Sequence, residues 1–270
     1  MSLLLDVAGL PRSTYYYYTK KQKEPEKYAE LKEEIYSIAA ENKGRYGCRR
    51  VTQKLRNRGL HYNHKLVMKL MKQLGLSSKV RMKKYRSYKG EVGKITPNLL
   101  GMDFYAEKPN QKWVTDVTEF SLFGEKLYFS PVLDPCSEDL VSYTISNRSV
   151  LGMVISMLEK AFEMIPEGTR LILHSDQGWQ YQHKQCQRML ESKGICQSMS
   201  RKGNCLDNAV MENFFGLLKS ELLYLQDFDS LKRFKTELID YLDYYNNCKI
   251  KLKLKGLTSA QHRYHALQVT

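Results

Sequence analysis

The chain has 270 residues, 42% of them hydrophobic, enough for one large or two modest domains with ordinary cores. No apolar run approaches the roughly 18–20 residues of a membrane helix, and MSLLLDVAGLPRS is too short and wrongly flanked for a secretory signal. The net charge of +14 is uneven: residues 1–110 hold 24 Lys and Arg against 10 Asp and Glu, whereas 111–270 hold 19 of each. Residues 249–270 contribute five basic side chains and no acid, which leaves 111–248 at −5. An acidic centre between basic arms argues against a simple nucleic-acid coat. It fits carboxylates that hold metal ions between flanks that hold a phosphate backbone.

Residues 1–27 predict a short helical segment whose rings, Tyr15 to Tyr18, pack on a neighbour, followed by a charged linker, TKKQKEPEK. Three helices are expected within 28–88. Leu31, Ile35 and Ile38 mark the first; Arg49–Arg58, with Val51 and Leu55 inward and Gly59 closing it, marks the second. Asn63 opens the third, in which Leu66, Val67, Leu70, Met71 and Leu74 face a core and Lys65, Lys69 and Lys72 line the opposite side. A solvated lysine face would account for that stripe alone. Arg45, Arg49, Arg50, Arg56 and Arg58, with KVRMKKYRSYK at 79–89, turn the expectation to nucleic acid held by a helix-turn-helix-like unit. Residues 89–103, which include KGEVGKITPN, read as a linker.

From about Phe104 the periodicity changes. KWVTDVTEF alternates, with Val114, Asp116, Thr118 and Phe120 on one face and Trp113, Thr115, Val117 and Glu119 on the other. LFGE and DPCSED are turns into KLYFSPVL and LVSYTIS, giving a three-strand antiparallel meander. A helix from Ser149, with Leu151, Val154, Ile155, Leu158, Phe162 and Ile165 inward, leads to a short buried strand, RLILHSD, ending at Asp176. A helix over about 181–193, the strand GICQSMS and a helix over Leu206–Glu221 complete the order β-β-β-α-β-α-β-α. A last helix, capped by Asp229 or Ser230, precedes a basic tail, 249–270.

Leu206–Glu221 carries the chemistry. Asp207 is its expected N-cap, Val210, Phe214, Leu217 and Leu218 form an apolar face, and Glu212, Gly216 and Lys219 share another. Asp116 and Asp176 are two further acids in strand-like settings, and 35 residues separate Asp176 from Glu212. Together with LLDVAGLPRSTYYY, ENKGRYGCRRV, PNQKWVTDVTEF, HSDQGWQY, SMSRKGNCLDNAVMENFFGLLKSE and YLDYYNN, this constellation resembles the DDE transposases and retroviral integrases. The wording is similar to the catalytic reading frame of bacterial insertion sequences of the IS-three family, across nearly the whole chain.

The resemblance implies an α/β, ribonuclease H-like catalytic core at 104–248, behind the helix-turn-helix-like domain. It implies strand cleavage and transfer on double-stranded DNA, both element ends and target. Asp116, Asp176 and Glu212 would hold two Mg²⁺ ions, with Mn²⁺ able to substitute and Asp116 bridging the pair. Lys219, Arg201 and Lys202 would contact DNA, as would Arg45, Arg49, Arg50, Lys65, Lys69 and Lys72. A homo-oligomer on DNA, partnership or fusion with an upstream-frame helix-turn-helix protein, and a cytoplasmic, nucleoid-associated location also follow from it. The alternative is a catalytically retired transposase kept as a DNA-binding regulator. A paired-histidine nickase lacks its His-x-His, and HRYH at 262–265 is a poor Arg/His cluster for a tyrosine recombinase. His174, Gln180 and Tyr181 are open between supporting the strand end and acting near the metals. Two departures from the family pattern are Cys48, usually an aromatic position, and Cys248–Lys249, usually Lys then Arg.

Overall fold

The computed structural model describes residues 11–23, 28–76 and 95–268, with Leu5, Val7 and Gly9 before them. It divides into two compact units, 1–78 and 79–270. The basic run 79–89 lies outside the described residues.

The first unit is helical. α1 (Arg12–Lys23) runs through the tyrosines and on through TKKQK, so helix replaces most of the expected linker. Tyr15 and Tyr16 meet edge to face at 5.5 Å, while Tyr16 and Tyr17 stay exposed. α2 (Ala29–Glu41) buries Leu31, Ile35 and Ile38, and α3 (Cys48–Asn57) buries Val51 and Leu55. α4 (His64–Gln73) is capped by Asn63, whose side chain accepts from the Lys65 N–H, and it buries Val67, Leu70 and Met71. Gly59 ends the α3 segment at φ +83°, a backbone that other residues rarely adopt. Lys65, Lys69, Lys72 and Arg49 are exposed as expected. Two arginines are not available in that way. Arg45 is buried, and Arg58 binds Glu34 and Glu41 of α2 at 2.6 Å each, a clasp between helices. Arg50 is half-buried, with its guanidinium over the Tyr46 ring.

The second unit is a mixed sheet between helices. β1 (Lys112–Thr115) and β2 (Thr118–Leu122) both pair antiparallel with β3 (Glu125–Asp134), in one unbroken register from Val114↔Leu133 to Leu122↔Glu125. They are two halves of the single strand that the alternation of KWVTDVTEF predicts. The break at Asp116–Val117 falls opposite Pro131, which has no N–H to give the ladder. The Val117 N–H bonds instead to Asp116 Oδ1 at 2.7 Å.

β4 (Asp139–Ser146) pairs with the other edge of β3. β5 (Ile172–Ser175) runs parallel to β1, and β6 (Cys196–Met199) runs parallel to β5. With β1 and β2 counted as one line, the spatial order is β4, β3, β1/β2, β5, β6: three antiparallel strands and then two parallel ones. That is the ribonuclease H-like arrangement expected from the element order. One face packs α5 (Leu151–Phe162), the short α6 (Trp179–Gln182) and α7 (Lys184–Ser192) around Trp113, Val132, Leu173 and Tyr181. α5 lies about one position round from the expected stripe: Met153 and Met157 are in the core, while Leu151 and Ile155 are half-buried. The other face packs Val114, Phe120, Leu127 and Phe129 against α8 (Ala209–Leu218) and α9 (Leu231–Asn247). Each large side chain fully buried there contributes about 1.5–3 kcal/mol relative to exposure.

Two expected regions behave differently from a linker and a tail. Residues 95–103 include a stretch that runs beside β6: the Met199 N–H bonds to the Pro97 carbonyl and the Leu99 N–H to Ser198 Oγ. Residues 249–268 fold as a two-stranded sheet, β7 (Ile250–Lys251) with β8 (Leu257–Thr258), and α10 (Ser259–Gln268). Three of their five basic side chains turn inward. Lys249 Nζ meets Glu221 Oε2 at 2.5 Å, Lys251 lies 3.6 Å from Glu138, and Arg263 binds Asp134 at 3.3 Å with Asp139 at 3.7 Å. The acidic centre and the basic tail therefore neutralise one another inside the fold. Buried charge demands a partner, and here it comes from the C-terminal segment for acids both near it in sequence, Glu221, and far from it, Asp134 and Asp139.

Candidate active site

Asp116 and Asp176 are delivered by neighbouring parallel strands, β1 and β5. Thr115↔Ser175 is the last pair of that ladder, and each acid is the next residue along its strand. They line one open cleft, about 240 Å³ in volume, with Glu119, Tyr128, Gly178 and Trp179. Asp116 Oδ2 accepts from Asn208 Nδ2 at 2.9 Å, and Asp176 Oδ1 accepts from the Gly178 N–H at 2.9 Å. Burial, and then the nearby Asp176 carboxylate, push Asp116 well above the usual carboxylate range; Glu212 adds a smaller push the same way. Burial also raises Asp176. The leading influences on the two acids are burial, negative charge and N–H donors, with no basic side chain among them.

Glu212 is half-buried on α8, close enough for its charge to act on Asp116. The three acids do not form a closed cage. Among the described residues no three His, Cys, Asp or Glu side chains stand together tightly enough to hold one ion.

The helix that carries Glu212 is less regular than its spacing predicts. It is a 3₁₀ turn (Cys205–Asn208), then α8, then a π turn (Lys219–Leu223). Lys219 therefore begins the π turn, with its ammonium 5.7 Å from the Phe120 ring centre. Glu221, two residues on, is bound by Lys249 and by the Tyr241 hydroxyl. Asp207 is not the N-cap. Its buried carboxylate accepts from the Arg201 N–H at 2.8 Å and from two guanidinium nitrogens at 2.9 Å, and this arginine holds it down at about pKa 2. Asn204 caps the 3₁₀ turn instead, accepting from the Leu206 N–H. Arg201, expected on DNA, thus has its fork on Asp207, although its side chain remains 57% exposed; Lys202 is exposed.

His174 is a structural link. Its Nε2 lies 2.8 Å from the Asp207 carbonyl and its Nδ1 2.8 Å from Ser198 Oγ, so it ties β5 to β6 and to the turn before α8. Burial lowers its pKa and favours the neutral ring. Tyr181, fully buried, bonds to Thr115 Oγ1 at 3.0 Å, and Gln180 donates to Ser149 Oγ at 2.9 Å. Asn208 and Gly178 were not among the residues that the sequence pointed to. Asn208 stands four residues before Glu212, one turn away on the same face, and that spacing could have found it.

Comparison with known proteins agrees with this architecture. The family model "Integrase core domain" matches residues 106–205, a second model of that description matches 212–267, and "HTH-like domain" matches 27–84. The Escherichia coli (strain K12) protein "Putative transposase InsK for insertion sequence element IS150" is 52% identical over 260 residues, covering 96% of this chain and 92% of that protein. An "Uncharacterized transposase-like protein" of Haemophilus influenzae is 45% identical, covering 80% of this chain and 100% of its own. "Transposase InsF for insertion sequence IS3A" of Escherichia coli (strain K12) is 31% identical, covering 84% and 80%. Among solved structures, the HTLV-2 integrase catalytic core domain in complex with magnesium aligns with a TM-score of 0.46 and 20% identity, covering 59% of this chain and 99% of that one. On the strength of these relatives, the chain belongs to the insertion-sequence transposases of the IS3 family, with an integrase core behind an HTH-like domain.

Proposed function

We propose that this chain catalyses metal-dependent cleavage of DNA strands at the ends of an insertion sequence and their transfer into target DNA by direct phosphoryl transfer. One observation carries the reading: Asp116 and Asp176 share an open cleft, buried, mutually repelling and lacking a basic partner among their leading influences. Such a pair suits a small, hard dication that keeps part of its water shell, Mg²⁺ with Mn²⁺ as a substitute. Bound there, two such ions would activate the attacking oxygen and stabilise the leaving one.

The chain's own residues supply the rest. Asp116 and Asp176 would hold the ions, and the Gly178 N–H and the Asn208 amide aim the two carboxylates. Glu212, whose charge already reaches Asp116 from α8, would complete the set. Lys219 and Lys202 hold phosphates beside the cleft. Arg49, Lys65, Lys69 and Lys72 hold the duplex backbone on the HTH-like unit. Domain limits of 28–88 and 104–248 fit this division, with 249–270 serving as part of the core fold. The protein works as an oligomer, since joining two ends needs two sites, and an upstream-frame partner reads the end sequence.

The test is incubation with supercoiled DNA bearing candidate ends, in Mg²⁺, Ca²⁺ or EDTA, scoring cleavage and joining. Asp116→Asn, Asp176→Asn and Glu212→Gln should each abolish both while leaving DNA binding intact. A variant that keeps more than a few per cent of activity removes that residue from the proposed set.

A further inference from the structure

Asn208 sits where the 3₁₀ turn meets α8, and its side-chain amide is only half used. Nδ2 donates to Asp116 Oδ2 across 92 positions of sequence, at 2.9 Å. Oδ1 is buried and has no hydrogen-bond partner among the described residues, in a residue only 7% exposed. Buried carbonyl oxygens are nearly always satisfied, so one left over on the residue that bonds Asp116 needs an explanation. Exchanging the amide's nitrogen and oxygen would set lone pairs against an ionised Asp116, so the hydrogen-bond network fixes the orientation. The leftover atom is an acceptor on the residue that already touches Asp116.

We propose that Asn208 is a positioning residue for a hydrated divalent cation at the Asp116–Asp176 pair, its N–H steadying Asp116 and its carbonyl oxygen accepting from the cation's water shell. The inference rests on the metal-dependent reading above. It adds that metal affinity is set partly by a neutral side chain outside the three acids. Outer partners of this kind typically govern metal affinity by about 10–100-fold.

Mn²⁺ binding to the full chain, followed by electron paramagnetic resonance and by calorimetry, tests it alongside melting in EDTA. Asn208→Leu keeps the volume and removes both polar atoms. It should weaken Mn²⁺ binding about 10–100-fold while melting in EDTA close to the parent, the lost N–H donor to Asp116 offsetting the removal of an unsatisfied carbonyl. A merely structural asparagine predicts the reverse: a lower melting temperature with unchanged Mn²⁺ affinity, and that result overturns the proposal. Asn208→Asp keeps an acceptor in place and should bind Mn²⁺ at least as well as the parent. A loss as large as that of Asn208→Leu would also overturn it. Asp116→Asn separates the two levels. If it binds Mn²⁺ as the parent does, the metal site itself is misassigned; if it loses binding while Asn208→Leu does not, only the role of Asn208 fails.

Discussion

Gly178→Ala is the most discriminating single change the cleft offers. A methyl group there would stand 2.9 Å from Asp176 Oδ1 and 3.3 Å from both Gln180 Oε1 and Tyr181 Cδ2, where ordinary contact begins at 3.4 Å. Oδ1 must therefore retreat by about half an ångström. The backbone itself is no obstacle, because φ −59° and ψ 140° suit alanine. Replacing glycine at a compatible position gains about 0.4–1 kcal/mol through the unfolded chain. Weakening the Gly178 N–H···Asp176 bond costs about 1.5–3 kcal/mol, so the net loss is about 0.5–2.5 kcal/mol. For a chain of this size that is a fall of roughly 1–10 °C in melting temperature. Catalysis is less forgiving: a 1 Å misplacement costs about a hundredfold, and half of that costs on the order of tenfold. Strand transfer on a pre-cut end under single-turnover conditions, with melting in EDTA as the control, reads both quantities. Full activity in Gly178→Ala would refute the claim that Asp176 is held in its working position by this contact.

Three further outcomes follow. Asp116 has a folded pKa above its unfolded value, from burial and then from Asp176, so the metal-free chain should gain stability as pH falls through that raised value. Above it the penalty is complete, and Asp116→Asn should remove it, giving a variant that melts higher than the parent in EDTA at neutral pH and converges with it in acid. Lys249→Met strands the buried Glu221 carboxylate and should cost about 3–5 kcal/mol in urea unfolding, whereas a loss under 1 kcal/mol would mean that water reaches the pair. Neutralising Lys65, Lys69 and Lys72 together should flatten the salt dependence of DNA binding, the log–log slope falling by roughly 0.9 for each phosphate no longer neutralised, with stability unchanged. An unaltered slope would return the stripe to ordinary solvated lysines.

The fold was legible where periodicity speaks and opaque where single residues decide. Alternation in KWVTDVTEF placed Val114 and Phe120 on one face and Trp113 on the other, as found. The same alternation could not reveal that the line breaks at Asp116, opposite Pro131 of the partner strand, because a strand's own pattern does not show its neighbour. Asp207 carries the signature of an N-cap, yet a loop arginine six residues upstream takes it, a pairing that no helical spacing encodes. Arg45 and the tail lysines were read by charge alone, which says nothing about burial. The three acids stood out because two carboxylates in strand-like settings and a third on a helix at family spacing are rare together. Asn208 and Gly178 did not, since an amide and a glycine become informative only when something is seen beside them.

The inward-facing cations of 249–270 have a consequence for how the protein is made. Chains fold from the N-terminus as they are synthesised, yet Asp134, Asp139 and Glu221 receive their counter-charges from Lys249 and Arg263. The catalytic unit is thus electrostatically unfinished until the codons for these two residues are read. A stop codon after Asn247 would spare every strand of the main sheet and each proposed metal ligand. It would nevertheless release a chain with three carboxylates sealed in its interior, lacking the lysine and arginine that make their burial tolerable. Loss of soluble protein from such a gene would be a defect of charge balance arising late in translation, with the catalytic residues all present.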